Sequence, residues 1–217
     1  MLLKTIILIF GLTACAAVPS SIVRPCDSIP CIARHLASQS ACNPNVRGSV
    51  PSEYTIRNFR FDTPYFNATY IDNDLVIRNH DKCFVSEFYY NVATQKAVLS
   101  LDCPLLEFQS TRTVVQHYSL REDLTYNYSY HGTYPMVRLT STMPLTQPFD
   151  MCRAFTFADV TALPRYHINV NNKRTANFLS RDETFLNIFE RETFFWRGRQ
   201  LARFFINSLI CDFGCDF

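Results

Sequence analysis

Glycine is scarce in this chain. Only five occur in 217 residues, and Gly11 lies in the first twelve. No glycine-rich phosphate cradle and no Gly-x-Ser-x-Gly nucleophile elbow is present. Charge of one sign is also lacking: 21 Lys and Arg face 19 Asp and Glu, a formal net charge of +2. Nothing there makes an electrostatic footprint for nucleic acid or an anionic membrane. Long apolar runs are missing too. The longest, Ile6 to Leu12, is about a third of the ~20 residues that a membrane span requires. Arg191, Arg197, Arg199 and Arg203 interrupt the only other strongly apolar stretch.

What the chain does contain begins with its first residues. Lys4 followed by Ile6–Leu12 and then by Ala14-Cys15-Ala16-Ala17 has the three parts of a secretory signal. Cleavage after Ala16 or Ala17 is expected, which makes residues 1–17 a signal peptide and directs the product out of the cell. Removing Lys4 lowers the formal charge from +2 to +1, since the signal carries no acid.

Cysteine then acquires meaning. Of nine cysteines Cys15 leaves with the signal, and eight stay: Cys26, Cys31, Cys42, Cys83, Cys103, Cys152, Cys211 and Cys215. An even set in a secreted chain predicts disulfides, with connectivity left open among 105 pairings. Cys26-x4-Cys31 and Cys211-x3-Cys215 approach zinc-ligand spacing, but the oxidising compartment favours bridges, and no metal is expected. The same route gives Asn67-Ala68-Thr69 and Asn127-Tyr128-Ser129 significance as N-glycosylation sites at Asn67 and Asn127.

The histidines His35, His80, His117, His131 and His167 fall in no metal-binding helical spacing and read as surface or strand residues. Asp102, Asp123, Asp150 and Asp159 offer carboxylates, yet nothing pairs them into an acid–base couple. No catalytic residue and no cofactor is assigned, and an enzyme is not expected.

Residues 18–217 read as a single globular domain of the α+β class. Three cysteines with Pro44, Gly48 and Pro51 form a disulfide-tied lead-in, holding a short helix from Ile29 to Ala41 with Pro30 at its start. Strands follow. Phe84–Tyr90 and Ala97–Leu101 alternate about a polar break and make a hairpin. A turn centred on Ala93 sets Cys83 opposite Cys103. Tyr126, Tyr128 and Tyr130 alternate with polar residues, so Asn127 points away from the tyrosine face. Pro135, Pro144, Pro148 and Pro164 divide the next segment into short pieces, with strands at Met136–Thr140 and Ala154–Val160.

The last third changes period. Ser180-Arg181-Asp182-Glu183 is a capping-box pattern, and Phe185, Ile188, Phe189, Glu192 and Trp196, then Leu201, Phe205 and Leu209, follow helical spacing. A helix over residues 181–210 is predicted, with Gly198 as a point of bending or division. Phe194, Phe195, Trp196, Phe204 and Phe205 make it apolar on nearly every side. It is therefore either wrapped by the sheet or the contact surface for a partner.

Several long strings resemble the fibrohexamerin family, small glycoproteins of moth silk fibroin. They are Thr63-Pro64-Tyr65-Phe66-Asn67-Ala68, Phe157-Ala158-Asp159-Val160-Thr161-Ala162-Leu163-Pro164, Arg174 to Ser180, Glu190-Arg191-Glu192-Thr193-Phe194-Phe195, and the ending Cys211-Asp212-Phe213-Gly214-Cys215. The resemblance implies secretion into the silk-gland lumen and retention in the fibre. It implies non-covalent association, several copies per assembly, with disulfide-linked fibroin heavy and light chains, and a part in keeping them soluble. Val170-Asn171-Asn172-Lys173 and Phe185-Leu186-Asn187 are similar to the takeout and juvenile-hormone-binding proteins. That likeness implies a strongly curved antiparallel sheet wrapped around the long C-terminal helix, and a lipophilic ligand as the alternative occupant. The chain departs from that family in lacking its glycine-rich stretch and in having extra cysteines.

Overall fold

The computed structural model describes residues 21–63, 67–145, 148–170, 172–179 and 183–215, with backbone alone for 183–193 and 195. The expected signal peptide (1–17) and the Ser180–Asp182 part of the capping box lie outside the described residues.

The chain begins with β1 (Ile22–Val23) and α1 (Ile29–Gln39). Pro30 occupies the first turn of α1, where a missing N–H costs nothing. Ile32 and Leu36, four residues apart, are its buried stripe. The sheet follows as β2 (Glu53–Thr63), β3 (Ala68–Arg78), β4 (Phe84–Asn91), β5 (Lys96–Gln116), β6 (Leu124–Pro144), β7 (Phe155–Val160) and β8 (Arg165–Val170). Helices α2 (Lys173–Leu179) and α3 (Glu183–Leu209) complete it.

Every described pairing is antiparallel. The spine is the β5–β6 hairpin, in register from Lys96↔Pro144 to Gln116↔Leu124. One half of the spine is flanked by β4 and β7, the other by β3 and β8, with β2 outside β3. A straight 21-residue strand would run about 70 Å, far beyond the width of such a domain. The hairpin bends instead. At the junction of its halves Pro104 and Pro135 supply no N–H, and Leu105 takes φ +53°.

Helix α3 demonstrates the curvature. Its Phe204 stacks on Tyr54 of β2 at 4.5 Å, and its Phe194 meets Phe108 of β5 at 5.6 Å. A Cβ on its Gly198 would lie 2.8 Å from Ala158 Cβ in β7. β2 and β7 are edge strands on opposite margins. One helix about 10 Å across reaches both only because the sheet curls around it. The architecture is therefore α+β, a curved antiparallel sheet wrapped on a long C-terminal helix.

Four disulfides fasten this shell: Cys26–Cys31, Cys42–Cys211, Cys83–Cys103 and Cys152–Cys215. The second and fourth hold the end of α3 to the lead-in and to the segment before β7. The third follows from strand register. The β4–β5 turn is centred between Ala93 and Thr94, half a residue from the expected Ala93, and a bulge at Ser86 absorbs the difference. Phe84 then opposes Asp102, and the next pair is Cys83 with Cys103.

Three expectations need correction. Pro135 does not break the chain into short strands, because β6 runs unbroken from Leu124 to Pro144 and the spine tolerates a proline at its bend. Gly198 does not divide α3, which is continuous from Glu183 to Leu209; its missing side chain permits the close approach to Ala158 and Leu139. His80 is no surface residue, as described below.

Candidate functional site

The concave face of the sheet is lined by alternate residues of each strand. Phe108, Ser110, Arg112 and Val114 share one parity on β5, and Tyr70 and Asp72 share one on β3. Antiparallel register sets Phe59, Asp72, Arg112 and Tyr128 in one row across β2, β3, β5 and β6. This parity places an aspartate and an arginine inside the core. Helix α3 lowers a second arginine, Arg197, onto them.

All three charged side chains are buried. Arg112 Nε donates to Asp72 Oδ1 at 2.7 Å, Ser110 Oγ donates to the same oxygen at 2.8 Å, and Arg197 Nη2 donates to Asp72 Oδ2. Burial alone would raise the Asp72 pKa. The charges and hydrogen bonds of Arg112 and Arg197 win, and hold it well below the usual carboxylate range. The Arg112 guanidinium lies 4.0 Å over the Tyr130 ring, and that of Arg197 lies 5.2 Å over Phe108. Tyr130 and Tyr134 join hydroxyls at 2.7 Å. Gly132 lies between them on the same face, and a Cβ there would be 2.2 Å from the Tyr130 hydroxyl. The cluster ties the helix to the sheet at one rotation and one height. Removing any one member would leave an uncompensated charge in the core, so the three side chains depend on one another.

A second polar element lies nearby. His80 is fully buried in a 3-10 turn after β3, with Nδ1 2.9 Å from the Tyr54 hydroxyl and rings of Phe204 and Phe205 around it. Burial lowers its pKa to about 4 and raises that of Tyr54. His80 stands close to Cys83 and Cys103, but those sulfurs are joined to each other and offer no thiolate to a metal.

The carboxylates singled out from the sequence do not form a catalytic couple. Asp102 pairs with Arg138 at 2.7 Å and Asp123 with His117 at 2.7 Å. Asp150 accepts from the Cys152 amide, and Asp159 stands opposite Arg138 in the strand register. A recess between α3 and the β2–β3 side, lined by Tyr54, Phe108, Arg197 and Phe204, holds about 10 Å³. That is room for about one water.

Of the aromatic residues expected on the helix, Phe194 and Phe205 are buried, and Phe204 is half-buried. Trp196 is 39% exposed, and the side chain of Phe195 lies outside the described residues. The buried stripe runs instead through Phe194, Arg197, Gly198, Leu201, Ala202 and Phe205. Among the described residues the helix is both wrapped by the sheet and open at Trp196. Both sequon asparagines are exposed. Asn67 adopts φ +48° and donates Nδ2 to the His117 carbonyl at 3.0 Å. Asn127 stands on the outer face and accepts from Thr113 Oγ1.

The sequence gives Asp72 and Arg112 no evident role, and Arg197 stands out there only as a charge within an apolar stretch. The one available signal was parity: a charged residue alternating in phase with Tyr70 on one strand, and another in phase with Phe108 and Val114 on its neighbour.

The family model described as Fibroin P25 matches residues 22–215, a span that holds all four disulfides and the buried cluster. The chain belongs to the Fibroin P25 family. Fibrohexamerin of Galleria mellonella is 54% identical over 218 aligned residues, covering 99% of this chain and 100% of that protein. Among solved structures, Takeout 1 of Epiphyas postvittana shares 8% identity, with a TM-score of 0.44, over 79% of this chain and 91% of its own. No helix among the described residues is long and apolar enough to cross a membrane.

Proposed function

We propose that this Fibroin P25 family member is a secreted glycoprotein. It associates non-covalently with fibroin heavy and light chains, several copies to an assembly, and supports their solubility and secretion. The observation that carries this reading is the closure of the cysteines. All eight from Cys26 to Cys215 are joined within the chain, so no described thiol is left to bond a partner. Recognition must then rest on surface contacts. The exposed Asn67 and Asn127 are suited to carry glycans, one on an edge loop and one on the outer face, where bound sugar would keep an apolar assembly hydrated. Secretion follows from the leader pattern at residues 1–17.

A carrier of lipophilic ligands would need a cavity of about 300 Å³ or more. Beside Arg197 the described side chains leave about 10 Å³, far below that size. No enzymatic step belongs to this reading.

The test is co-expression of fibroin chains with and without this protein in a secretory cell. Higher yield of soluble secreted fibroin in its presence supports the role. Equal yield and equal solubility would count against it.

A further inference from the structure

We propose that His131 and His167, with the Glu107 carboxylate as third donor, form a surface site for a zinc-class divalent metal on the outer face of the sheet. The sequence separates the two histidines, and the topology joins them. His131 stands directly opposite His167 in the antiparallel β6–β8 register. It also shares the outward parity of Asn127 and Ser129 on β6, so both rings project from the same outer face. Directly opposed residues hold their Cβ atoms about 4.5–5.5 Å apart. Both residues are exposed, so rotation about their side-chain bonds lets the two rings converge on one ion.

Glu107 supplies the third donor from β5. Its Oε2 lies 3.9 Å from His131 Nε2, too wide for a hydrogen bond. Two donors each ~2.1 Å from a tetrahedral zinc ion stand about 3.4 Å apart, so this gap is close to the spacing of two ligands on one metal. A polar recess of about 460 Å³ surrounds the histidines, lined also by Thr111, Ser129 and Asn169. The ladder of β3 is interrupted between Asn73 and Val76, and Asp74 takes φ +49° there. Asp74 is exposed at the same recess and adds a second carboxylate to its field. Arg78, on the recess wall, is paired with Glu53 and donates to Gln109. Two imidazoles and one carboxylate suit zinc rather than calcium or magnesium, which take oxygen donors. They leave a fourth position for water, the arrangement of an open site.

The experiment is titration calorimetry of Zn²⁺ into the secreted, disulfide-intact chain, made without a polyhistidine tag. The expected result is one saturable equivalent with a Kd between about 1 and about 100 µM, the weakness reflecting the ordering of three exposed side chains. His131→Gln and His167→Gln each weaken binding at least about tenfold, and Glu107→Gln about threefold. His117→Gln, on the other exposed histidine with a carboxylate partner, leaves it unchanged. The altered side chains are all on the surface, so the variants keep the fold, checked by unchanged thermal unfolding without metal. In NMR spectra the ring signals of His131 and His167, assigned by their loss in the two variants, move together as Zn²⁺ is added. No saturable binding, binding indifferent to either histidine or to Glu107, or binding lost in His117→Gln overturns the proposal.

Discussion

Lowering the pH from 7 to 4 is expected to weaken this fold through His80 in particular. The imidazole is fully buried against Tyr54, Phe204 and Phe205, and burial brings its pKa from 6.5 down to about 4. A folded pKa below the unfolded one means that the unfolded chain binds the proton more readily throughout that window. The contribution is therefore present above pH 6.5 and is lost as pH falls toward 4, where it levels off. At about 1.4 kcal/mol per pKa unit, the loss is about 3 kcal/mol, a large part of the ~5–15 kcal/mol that holds a domain together. The assay is denaturant unfolding at pH 7, 5.5 and 4 with disulfides intact, on the wild type and on His80→Gln. The variant starts less stable at pH 7, and the gap closes by about 3 kcal/mol at pH 4 because only the wild type must protonate a buried ring. Stability curves that run parallel from pH 7 to pH 4 would refute the reasoning.

Three further outcomes follow from the same structure. Asp72→Ala leaves Arg112 and Arg197 buried without their carboxylate and should cost about 3–5 kcal/mol in chemical denaturation, whereas a loss under about 1 kcal/mol would mean the cluster is not a true ion network. Gly198→Ala should destabilise by about 1–3 kcal/mol despite the ~1 kcal/mol gain in helix propensity, because its Cβ would meet Ala158 Cβ at 2.8 Å; a higher melting temperature would contradict the close approach. Asn67→Gln with Asn127→Gln should lower the amount of soluble fibroin assembly secreted, read by gel and immunoblot, and unchanged secretion would remove the glycans from the account.

Much of this fold was legible because strand parity is a strong signal wherever one face is dry. Tyr126, Tyr128 and Tyr130 are buried as alternation required, and Asn127 between them is exposed. The β4–β5 hairpin and its Cys83–Cys103 bridge followed from the same pattern, helped by a bulge at Ser86 that no pattern predicted. The helix over the last third was visible in its period, but its buried phase was not. Helical spacing set Trp196 on one stripe with Phe185, Ile188 and Phe189, while Arg197 beside it takes the core position because Asp72 awaits it 125 residues earlier in sequence. Propriety of charge in a core depends on a distant partner, which local reading cannot supply. Pro135 misled for a related reason: its missing amide matters little at a bend where Leu105 already interrupts the ladder. His80 lacked any sequence neighbour to mark it as buried, since its pocket is built by Tyr54 and the C-terminal helix.

The central claim is that this chain holds fibroin by contact alone. A pull-down of the secreted protein from silk-gland lumen, washed gently and then eluted with denaturant in the absence of reductant, tests it most directly. The account predicts that heavy and light chains elute with denaturant while this chain migrates as a separate species on a non-reducing gel. Fibroin that stays bound until a reductant is added, or a pull-down that recovers no fibroin, would contradict it.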